Sequence, residues 1–453
     1  MKGYLVPHPP LIVQGVGDGT EIPGTRAAYE QSAKEISGYA PETVVVVSPH
    51  SILYADYFHI SPGNRAKGSF AQFHAPQVKF DVSYDSELAA RIAETARQSG
   101  IPAGFLGERD RSLDHGTMVP LWFLRASSPA LPLLVRVSLS GLPFVEQYRF
   151  GRCIRQAAAS LNRRIAVIAS GDLSHRLGGS YGFSPSGAEH DRFVRECIEA
   201  SDLRRLFSID PALAENAAEC GLRSAMILAG VFDGLHVRSE VLHYEAPFGV
   251  GYLTAKFEGT GEAQSLLPLL LADRSARIRS RRRQEDAFVR LARETVERFV
   301  KTGHALRLPE ELPAEMTGSR AGVFVSIQKN GGLRGCIGTT APTCPNIAQE
   351  IIRNGISACS QDPRFDPVAS DELDELTYSV DVLSEPEPVP DRSLLDPHRY
   401  GVIVTSGRRR GLLLPDLDGV ETVDEQLEIA RKKGGIRPDE PCSLERFEVV
   451  RHR

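Results

Sequence analysis

The 453-residue sequence has no apolar stretch close to the roughly 20 residues that a membrane-spanning helix needs. Its start, MKGYLVPHPP, places proline and histidine where a secretory signal needs an unbroken apolar segment. A net charge of −5 supplies no positive field for nucleic acid. These absences exclude an integral membrane protein and predict neither a membrane nor a nucleic-acid partner.

Cysteine motifs are also missing. The seven cysteines are dispersed, odd in number and include no CxxC pair, so a disulfide framework or a zinc ribbon is not expected. We therefore predict a reducing cytoplasm as the compartment. The absence of Cx3CxxC excludes a radical-SAM enzyme, and the absence of GxxxxGK[ST] excludes a P-loop nucleotide site.

Short apolar or β-branched segments alternate with helical patterns over residues 1–258. The strand-like segments are Gly3–Val6, Thr43–Ser48, Leu131–Leu139 and Ile165–Ser170. Continuous apolar runs of this kind are typical of strands buried on both faces. A helical pattern over Ser86–Gly100 lies between two of them. The alternation predicts an α/β domain with a mostly parallel sheet.

The pattern changes after residue 258. Segment 259–283 includes six arginines between Arg274 and Arg283, and we interpret it as a solvated linker, with an acidic partner or a phosphate as the alternative. Residues 284–453 then mix antiparallel strands with separate helices, which predicts a smaller α+β domain. Its predicted elements are a helix over Phe288–Phe299, a strand over Val323–Gln328, a helix over Ile347–Cys359, a hairpin around Gly407–Arg410 and a helix over Asp424–Gly435.

Histidines follow the predicted strands of the first domain. His8, His50 and His175 each come shortly after one, and His115 is predicted to lie in a polar loop before an apolar segment. Ligands of open α/β sheets bind outside the carboxyl ends of the strands, so these imidazoles are expected to converge. The pattern predicts a metal or acid/base site, because neutral imidazole binds Fe(II), Zn and Cu.

A third metal ligand has several candidates. Glu219 and Cys220 precede a predicted buried helix, and Glu245 lies at a Gly-rich turn. Glutamate would favour Fe(II), whereas cysteine would favour Zn or Cu(I). The sequence leaves these alternatives open.

The ordered segments PHPPLI, SPHS, LDHG, SGDLSH and ECGLRS resemble the LigB-type class III extradiol dioxygenases, a superfamily that includes the Memo proteins. The resemblance implies that His8 and His50 bind metal and that His175 is the catalytic histidine, with Asp172 beside it. It implies that His115 lies next to the metal ligands without binding the metal itself. The Cys-Gly pair is similar to Memo proteins, whereas the dioxygenases carry a glutamate near this place.

The resemblance implies a non-haem oxidoreductase with one divalent metal, Fe(II) in the first instance, with Zn or Cu as alternatives. A small phenolic substrate would bind to this metal. His175 and His115 would then serve as acid/base groups, and Asp172 would orient His175. Two other interpretations stay open. One is a Memo-like module that binds metal or a partner protein without dioxygenase activity, and the other is a metal-dependent hydrolase.

The second domain contains LRGCIG and, later, DPRFDP, which resemble the AMMECR domain family. A LigB-like domain joined to an AMMECR domain is similar to proteins of the AmmeMemoRadiSam system, which implies a radical-SAM partner. From the residues alone, Arg334 is a candidate for binding a carboxylate or phosphate, and Cys336 is a candidate nucleophile if Arg334 stabilises its thiolate. The alternative for Cys336 is a buried structural cysteine in a strand.

Overall fold

A computed structural model of the chain describes residues 1–128, 130–329, 332–417 and 420–453. These residues divide into two compact units, Met1–Ala272 and Asp273–Arg453. Within these ranges, no helix is both long enough and apolar enough to cross a bilayer.

The first unit contains ten strands and eight complete helices among its described residues. The strands are β1 (Lys2–Val6), β2 (Thr43–Ser48), β3 (Phe58–His59), β4 (Arg65–Phe70), β5 (Ala75–Ser83), β6 (Ala103–Gly104), β7 (Leu133–Ser138), β8 (Ile165–Ser170), β9 (Leu235–Glu245) and β10 (Tyr252–Glu262). The helices are α1 (Pro23–Tyr39), α2 (Ser86–Gln98), α3 (His115–Ser127), α4 (Phe144–Ser160), α5 (Pro185–Glu199), α6 (Leu203–Leu206), α7 (Pro211–Ala217) and α8 (Leu222–Val231).

Six strands form the central sheet, in the order β7-β2-β8-β1-β10-β9. The first four run parallel, whereas β10 pairs antiparallel with β1 and β9 pairs antiparallel with β10. The mostly parallel α/β sheet predicted for this part of the chain is confirmed. Strands β4 and β5 form a separate antiparallel hairpin, which the sequence did not predict.

Apolar side chains are buried on both faces of the central sheet. Along β2, Val45 and Val47 join one core with α2, α4 and α8, while Val44 and Val46 join the other core with α1 and α3. All six residues of β2 are buried. Burial on both sides explains why these strands have continuous rather than alternating apolar sequences.

The predicted linker segment 259–283 includes the end of β10 and most of helix α9 (Leu267–Gln284). The helices after it are α10 (Ala287–Thr302), α11 (Ala314–Gly318), α12 (Ile347–Ser360) and α13 (Val423–Lys433). The strands are β11 (Gly322–Lys329), β12 (Gly332–Gly338), β13 (Leu376–Leu383), β14 (Glu387–Pro388), β15 (Gly401–Ser406), β16 (Arg409–Leu413), β17 (Ser443–Phe447) and β18 (Val449–His452).

The strands of the second unit form two antiparallel sheets, in the orders β12-β11-β13-β18 and β14-β17-β15-β16. Helices α10 and α12 pack on the first sheet, and α13 packs on the second. This arrangement confirms the predicted α+β class. The predicted hairpin is β15–β16, with Arg409 and Arg410 already in the second strand.

Candidate functional site

The candidate site lies where three neighbouring parallel strands end. In the central sheet, β8 lies between β2 and β1. His8 follows the end of β1, His50 follows β2, and Asp172 follows β8. Because parallel strands place their carboxyl ends at one edge of a sheet, these side chains are brought together.

His8, His50 and Cys220 form one compact group of metal-ligand atoms. The Nε2 atoms of His8 and His50 lie 2.9 Å apart, and Cys220 Sγ lies 3.7 Å from His8 Nε2. All three donor atoms lie within 4.8 Å of one another. Donors that share one tetrahedral metal, with bonds of about 2.0 to 2.3 Å, stand roughly 3.3 to 3.8 Å apart. The separation of Cys220 Sγ from His8 Nε2 lies within this range, that of the two histidine nitrogens lies 0.4 Å below its lower end, and all three donor types bind transition metals.

Asp172 and His175 form a second group with the same cysteine. Asp172 Oδ2 lies 3.8 Å from the Nε2 atom of His8 and 3.8 Å from that of His175. Its other oxygen, Oδ1, accepts a hydrogen bond of 2.9 Å from the backbone N–H of His8. The Asp172 N–H in turn donates to Cys220 Sγ at 3.2 Å. Asp172 thus connects the two histidines and the thiol.

The two glutamate candidates have other partners. Glu219 Oε2 accepts a hydrogen bond of 2.6 Å from the backbone N–H of Leu222, at the start of α8, and burial raises the pKa of the Glu219 carboxyl. Glu245 Oε1 accepts from the N–H and the hydroxyl of Thr25, at 2.8 and 2.6 Å. Among the described residues, Cys220 is the one of the three that joins the two histidines.

Two glycines allow the Cys220 loop to approach the end of β8. A Cβ atom on Gly171 would stand 2.2 Å from Gly221 Cα and 3.0 Å from the carbonyl oxygen of Cys220. Contacts this close admit no side chain, so the segments SGD and ECG pass each other backbone to backbone. The Cys220 N–H then donates to the Asp172 carbonyl at 3.2 Å. This close approach directs the thiol towards His8.

Ser170 contacts the far side of the His8 ring. Its Oγ lies 3.0 Å from His8 Nδ1, at the last residue of β8. A hydrogen bond at one ring nitrogen orients the ring and leaves the other nitrogen for a metal. The sequence analysis missed Ser170, although its position two residues before Asp172 was a usable signal.

His115 begins helix α3 and does not lie in a loop, which corrects the sequence prediction. The preceding Asp114 caps the helix, because its carboxylate accepts a 2.9 Å bond from the Thr117 N–H. The same carboxylate accepts a 2.5 Å bond from the Ser48 hydroxyl at the end of β2. These contacts hold the His115 ring with its centroid 4.0 Å from that of His50.

Burial shifts the protonation of this histidine pair. Loss of solvent, reinforced by neighbouring imidazoles, lowers the pKa of His50 to about 4 and the pKa of His115 to about 3. Both rings are therefore neutral at physiological pH. Neutral imidazoles can accept a proton or bind a metal, whereas imidazolium rings cannot.

His175 lies closer to solvent than the buried His8. Its side chain is 25% exposed, and its ring stacks on that of Tyr181 with the centroids 5.6 Å apart. Tyr181 itself is 64% exposed. His175 is thus placed to exchange protons between the interior of the site and solvent.

A cleft of about 610 Å³, which we call the acidic cleft, opens beside His50 and His115. Its charged lining residues are Glu108, Asp110, Asp114 and Arg136. The volume is that of a small-molecule site.

The candidates of the second unit lie on strand β12. The Arg334 guanidinium donates to Glu372 Oε2 at 2.8 Å and to the Asp366 carbonyl at 2.8 Å. Burial opposes ionisation of Glu372, but the hydrogen bonds from Arg334 and Lys329 prevail and lower its pKa to about 2. Arg334 is therefore held in an ion pair with a carboxylate of its own domain.

Cys336 has different neighbours. Its Sγ accepts a bond of 3.2 Å from the Ser326 hydroxyl on β11, and its backbone N–H donates to Asp362 Oδ2 at 2.8 Å. Arg364 bonds the same Asp362 carboxylate at 2.7 Å and the Cys336 carbonyl at 3.0 Å. The LRGCIG and DPRF segments thus meet through Cys336, Asp362 and Arg364. The proposed role of Arg334 beside the thiol stays a prediction.

Comparison with known families agrees with this geometry. The family described as the catalytic LigB subunit of aromatic ring-opening dioxygenase matches residues 2–255. The chain belongs to this LigB family. Residues 289–452 match the AMMECR1 family, so a LigB domain is followed by an AMMECR1 domain.

Similar proteins occur in other organisms. A protein of Clostridium acetobutylicum is 42% identical over 462 aligned positions, which cover 99% of this chain and 98% of that protein. A Thermotoga maritima protein is 52% identical over 171 positions, covering 37% of this chain and 98% of its own length. A crystal structure of a Pyrococcus horikoshii protein is 32% identical, with a TM-score of 0.34, and covers 36% of this chain and 88% of that one.

Proposed function

We propose that the LigB domain is a non-haem metal-dependent oxidoreductase whose metal is held by His8, His50 and Cys220. The observation that carries this proposal is the group of three donor atoms, all within 4.8 Å, delivered by three separate segments of the chain. When bound, a redox-active metal would supply Lewis acidity and oxygen chemistry at its open coordination positions. We propose Fe(II) first, with Zn or Cu as alternatives.

The side chains of the site that do not bind the metal would take part in proton transfer and hydrogen bonding. His175, partly exposed and 3.8 Å from Asp172 Oδ2, would accept a proton from a bound substrate hydroxyl and release it to solvent. Asp172 would orient the His175 ring during that transfer. His115, kept neutral by burial, would accept a hydrogen bond from the substrate beside His50. Asp172 also fixes the backbone of His8 through its 2.9 Å bond.

The proposed substrate is a small phenolic molecule. The family to which the chain belongs includes aromatic ring-opening dioxygenases, and the acidic cleft of about 610 Å³ adjoins His50 and His115. A phenol bound there would have its hydroxyl near two neutral imidazoles.

Cys220 favours a second candidate function. A thiol donor in place of a glutamate suits Zn or Cu(I). A protein with such a site need not activate oxygen. The LigB domain would then be a metal- or partner-binding module. In an AmmeMemoRadiSam-type system its partner would be a radical-SAM protein.

Metal analysis of the full chain tests these proposals. The protein would be purified without oxygen, and bound metal would be measured by mass spectrometry for the natural chain, His8→Ala and Cys220→Ser. We expect about one Fe per chain, lost in both variants. Controls are the exposed His236→Ala and the half-buried Cys344→Ser, which lie outside both metal-ligand groups.

A further variant separates metal binding from turnover. His175→Ala is expected to keep the metal and to lose oxygen consumption with phenolic substrates. Zn or Cu in the natural chain would overturn the Fe(II) oxidoreductase in favour of the binding module. Metal that is retained in both His8→Ala and Cys220→Ser would overturn the proposed ligand set.

A further inference from the structure

The acidic cleft has an uneven balance of charge. Three carboxylates, those of Glu108, Asp110 and Asp114, line it together with one guanidinium, that of Arg136. A ligand in the cleft therefore meets a net negative lining.

Arg136 is not available to bind an anionic ligand. Its side chain is only 3% exposed, and its N–H groups are already engaged. Nε donates to the Ser61 hydroxyl at 2.7 Å, and Nη1 donates to the Ser112 carbonyl at 2.8 Å. The remaining partners are the carboxylates of Glu108 and Asp114. The positive charge of Arg136 is therefore paired with carboxylates that belong to the protein itself.

Glu108 has an unused hydrogen-bonding oxygen. Its side chain is 1% exposed, and Oε1 accepts from Arg136 and from the Ser61 hydroxyl. Oε2 is buried and has no hydrogen-bond partner among the described residues. His59 Nε2 lies 3.6 Å from Oε1, which is beyond hydrogen-bond distance. A buried carboxylate oxygen without a donor is costly, and a ligand N–H would satisfy it.

Asp110 extends the negative charge to the rim. Its side chain is exposed, and Oδ1 accepts a bond from the Ser112 N–H at 2.9 Å. A cation entering the cleft would pass this carboxylate before it reached Glu108. The carboxylates of Asp110 and Glu108 would therefore both attract a cationic ligand.

We infer that the acidic cleft binds the protonated amine of a small-molecule substrate. This rests on the proposed function, because the aromatic part of that substrate would lie towards His50 and His115. The ammonium group would donate to Glu108 Oε2 and be attracted by Asp110. A substrate carrying a carboxylate at the same position would meet like charges, so the cleft selects for positive charge.

A pair of probes of similar size and opposite charge tests the inference. Binding of tyramine and of 4-hydroxyphenylacetate to the full chain, stripped of metal with a chelator, would be measured by titration calorimetry. We expect tyramine to bind at least tenfold more tightly. Asp110→Asn is expected to reduce that preference at least threefold, and Glu108→Gln to reduce it further. Glu310→Gln, an exposed carboxylate of the second unit, is the control.

The outcomes separate this inference from the proposed function. Equal binding of the two probes, tighter binding of 4-hydroxyphenylacetate, or no binding of either at millimolar concentration overturns the amine preference. An unchanged preference in Asp110→Asn, which keeps the buried Glu108–Arg136 pair intact, does so as well. A chain that prefers tyramine but binds no Fe refutes only the oxidoreductase. A chain that holds Fe and consumes oxygen without an amine preference refutes only this inference.

Discussion

Ser170 sets the orientation of the His8 ring, although it contacts none of the other candidate ligands through its side chain. Its hydroxyl lies 3.0 Å from Nδ1, so that Nε2 faces His50 and Cys220. Outer partners of this kind usually change metal affinity by about 10- to 100-fold. The role of Ser170 can therefore be measured separately from that of the ligands.

We expect Ser170→Ala to weaken metal binding by about tenfold or more while the chain stays folded, because the His8 ring loses its fixed tautomer and orientation. Competition with a chelator of known affinity gives the measurement. Ser32→Ala removes an equally buried hydroxyl that bonds only its own helix backbone, and it should leave the affinity unchanged. Equal affinities for the Ser170 variant and the natural chain would contradict the assignment.

His115 gives a prediction about pH. Burial lowers its pKa to about 3, whereas an unfolded chain protonates histidine near 6.5. Between these values the unfolded state binds more protons, so the metal-free protein loses stability as the pH falls from 6.5 towards 3. After allowance for solvent screening, the loss between pH 7 and pH 5 is about 1 to 2 kcal/mol.

Urea unfolding of the metal-free chain at the two pH values measures this loss. We expect His115→Gln to reduce the dependence on pH, since glutamine does not titrate. His236→Gln, at an exposed position of β9, should keep it. A slope that is the same in the His115 variant and the natural chain would show that another group is responsible.

At the scale of elements, the loop after β8 and the loop before α8 position the thiol by their close approach. Gly171→Ala would force a Cβ to within 2.2 Å of Gly221 Cα, so one backbone must move. Such overpacking costs about 1 to 3 kcal/mol. We expect this variant to lose that much stability and most of its metal affinity, because Cys220 moves with its loop.

Gly38→Ala is a matched control for that experiment. Gly38 lies in α1, and a Cβ there would meet nothing within 4 Å. Alanine favours a helix over glycine by up to about 1 kcal/mol, so this variant should be neutral or slightly more stable. Metal binding measured beside thermal unfolding separates the two variants. Full metal affinity in Gly171→Ala would show that the loops tolerate displacement.

At the scale of the whole molecule, the two units have separate hydrophobic cores. The clusters of the first unit contain no residue beyond Leu270, and those of the second begin at Phe288. All five residues of the two metal-ligand groups belong to the first unit. Separate cores favour separate unfolding transitions.

We therefore expect calorimetry of the full chain to show two transitions. Leu291→Ala removes a side chain that is 2% exposed from the core around α10, which costs about 2 to 5 kcal/mol. It should shift one transition to lower temperature and leave both the other transition and metal binding unchanged. A single transition that moves as a whole would contradict the separation of the cores.

Much of the fold could be predicted from the sequence for local reasons. The apolar segment Thr43–Ser48 indicates a strand buried on both faces, and the amphipathic pattern that starts at Phe288 indicates a helix packed on a sheet. The expected convergence of His8, His50 and His175 followed from one general property, since parallel strands share one carboxyl edge. The pairing of strands distant in sequence, such as β1 with β8, left no equally clear pattern.

The α/β part, the α+β part and the histidines that follow the strands of the first could all be inferred from the order of the amino acids. These properties depend on periodicity and on positions along single strands. The tertiary structure brings the Cys220 thiol, and not the adjacent Glu219 carboxylate, beside His8 and His50. One side chain bonds the N–H of Leu222 and the other turns to His8, because Gly171 and Gly221 let two distant loops touch. The charge of the acidic cleft was decided in the same way, since it depends on which carboxylates Arg136 reaches after folding.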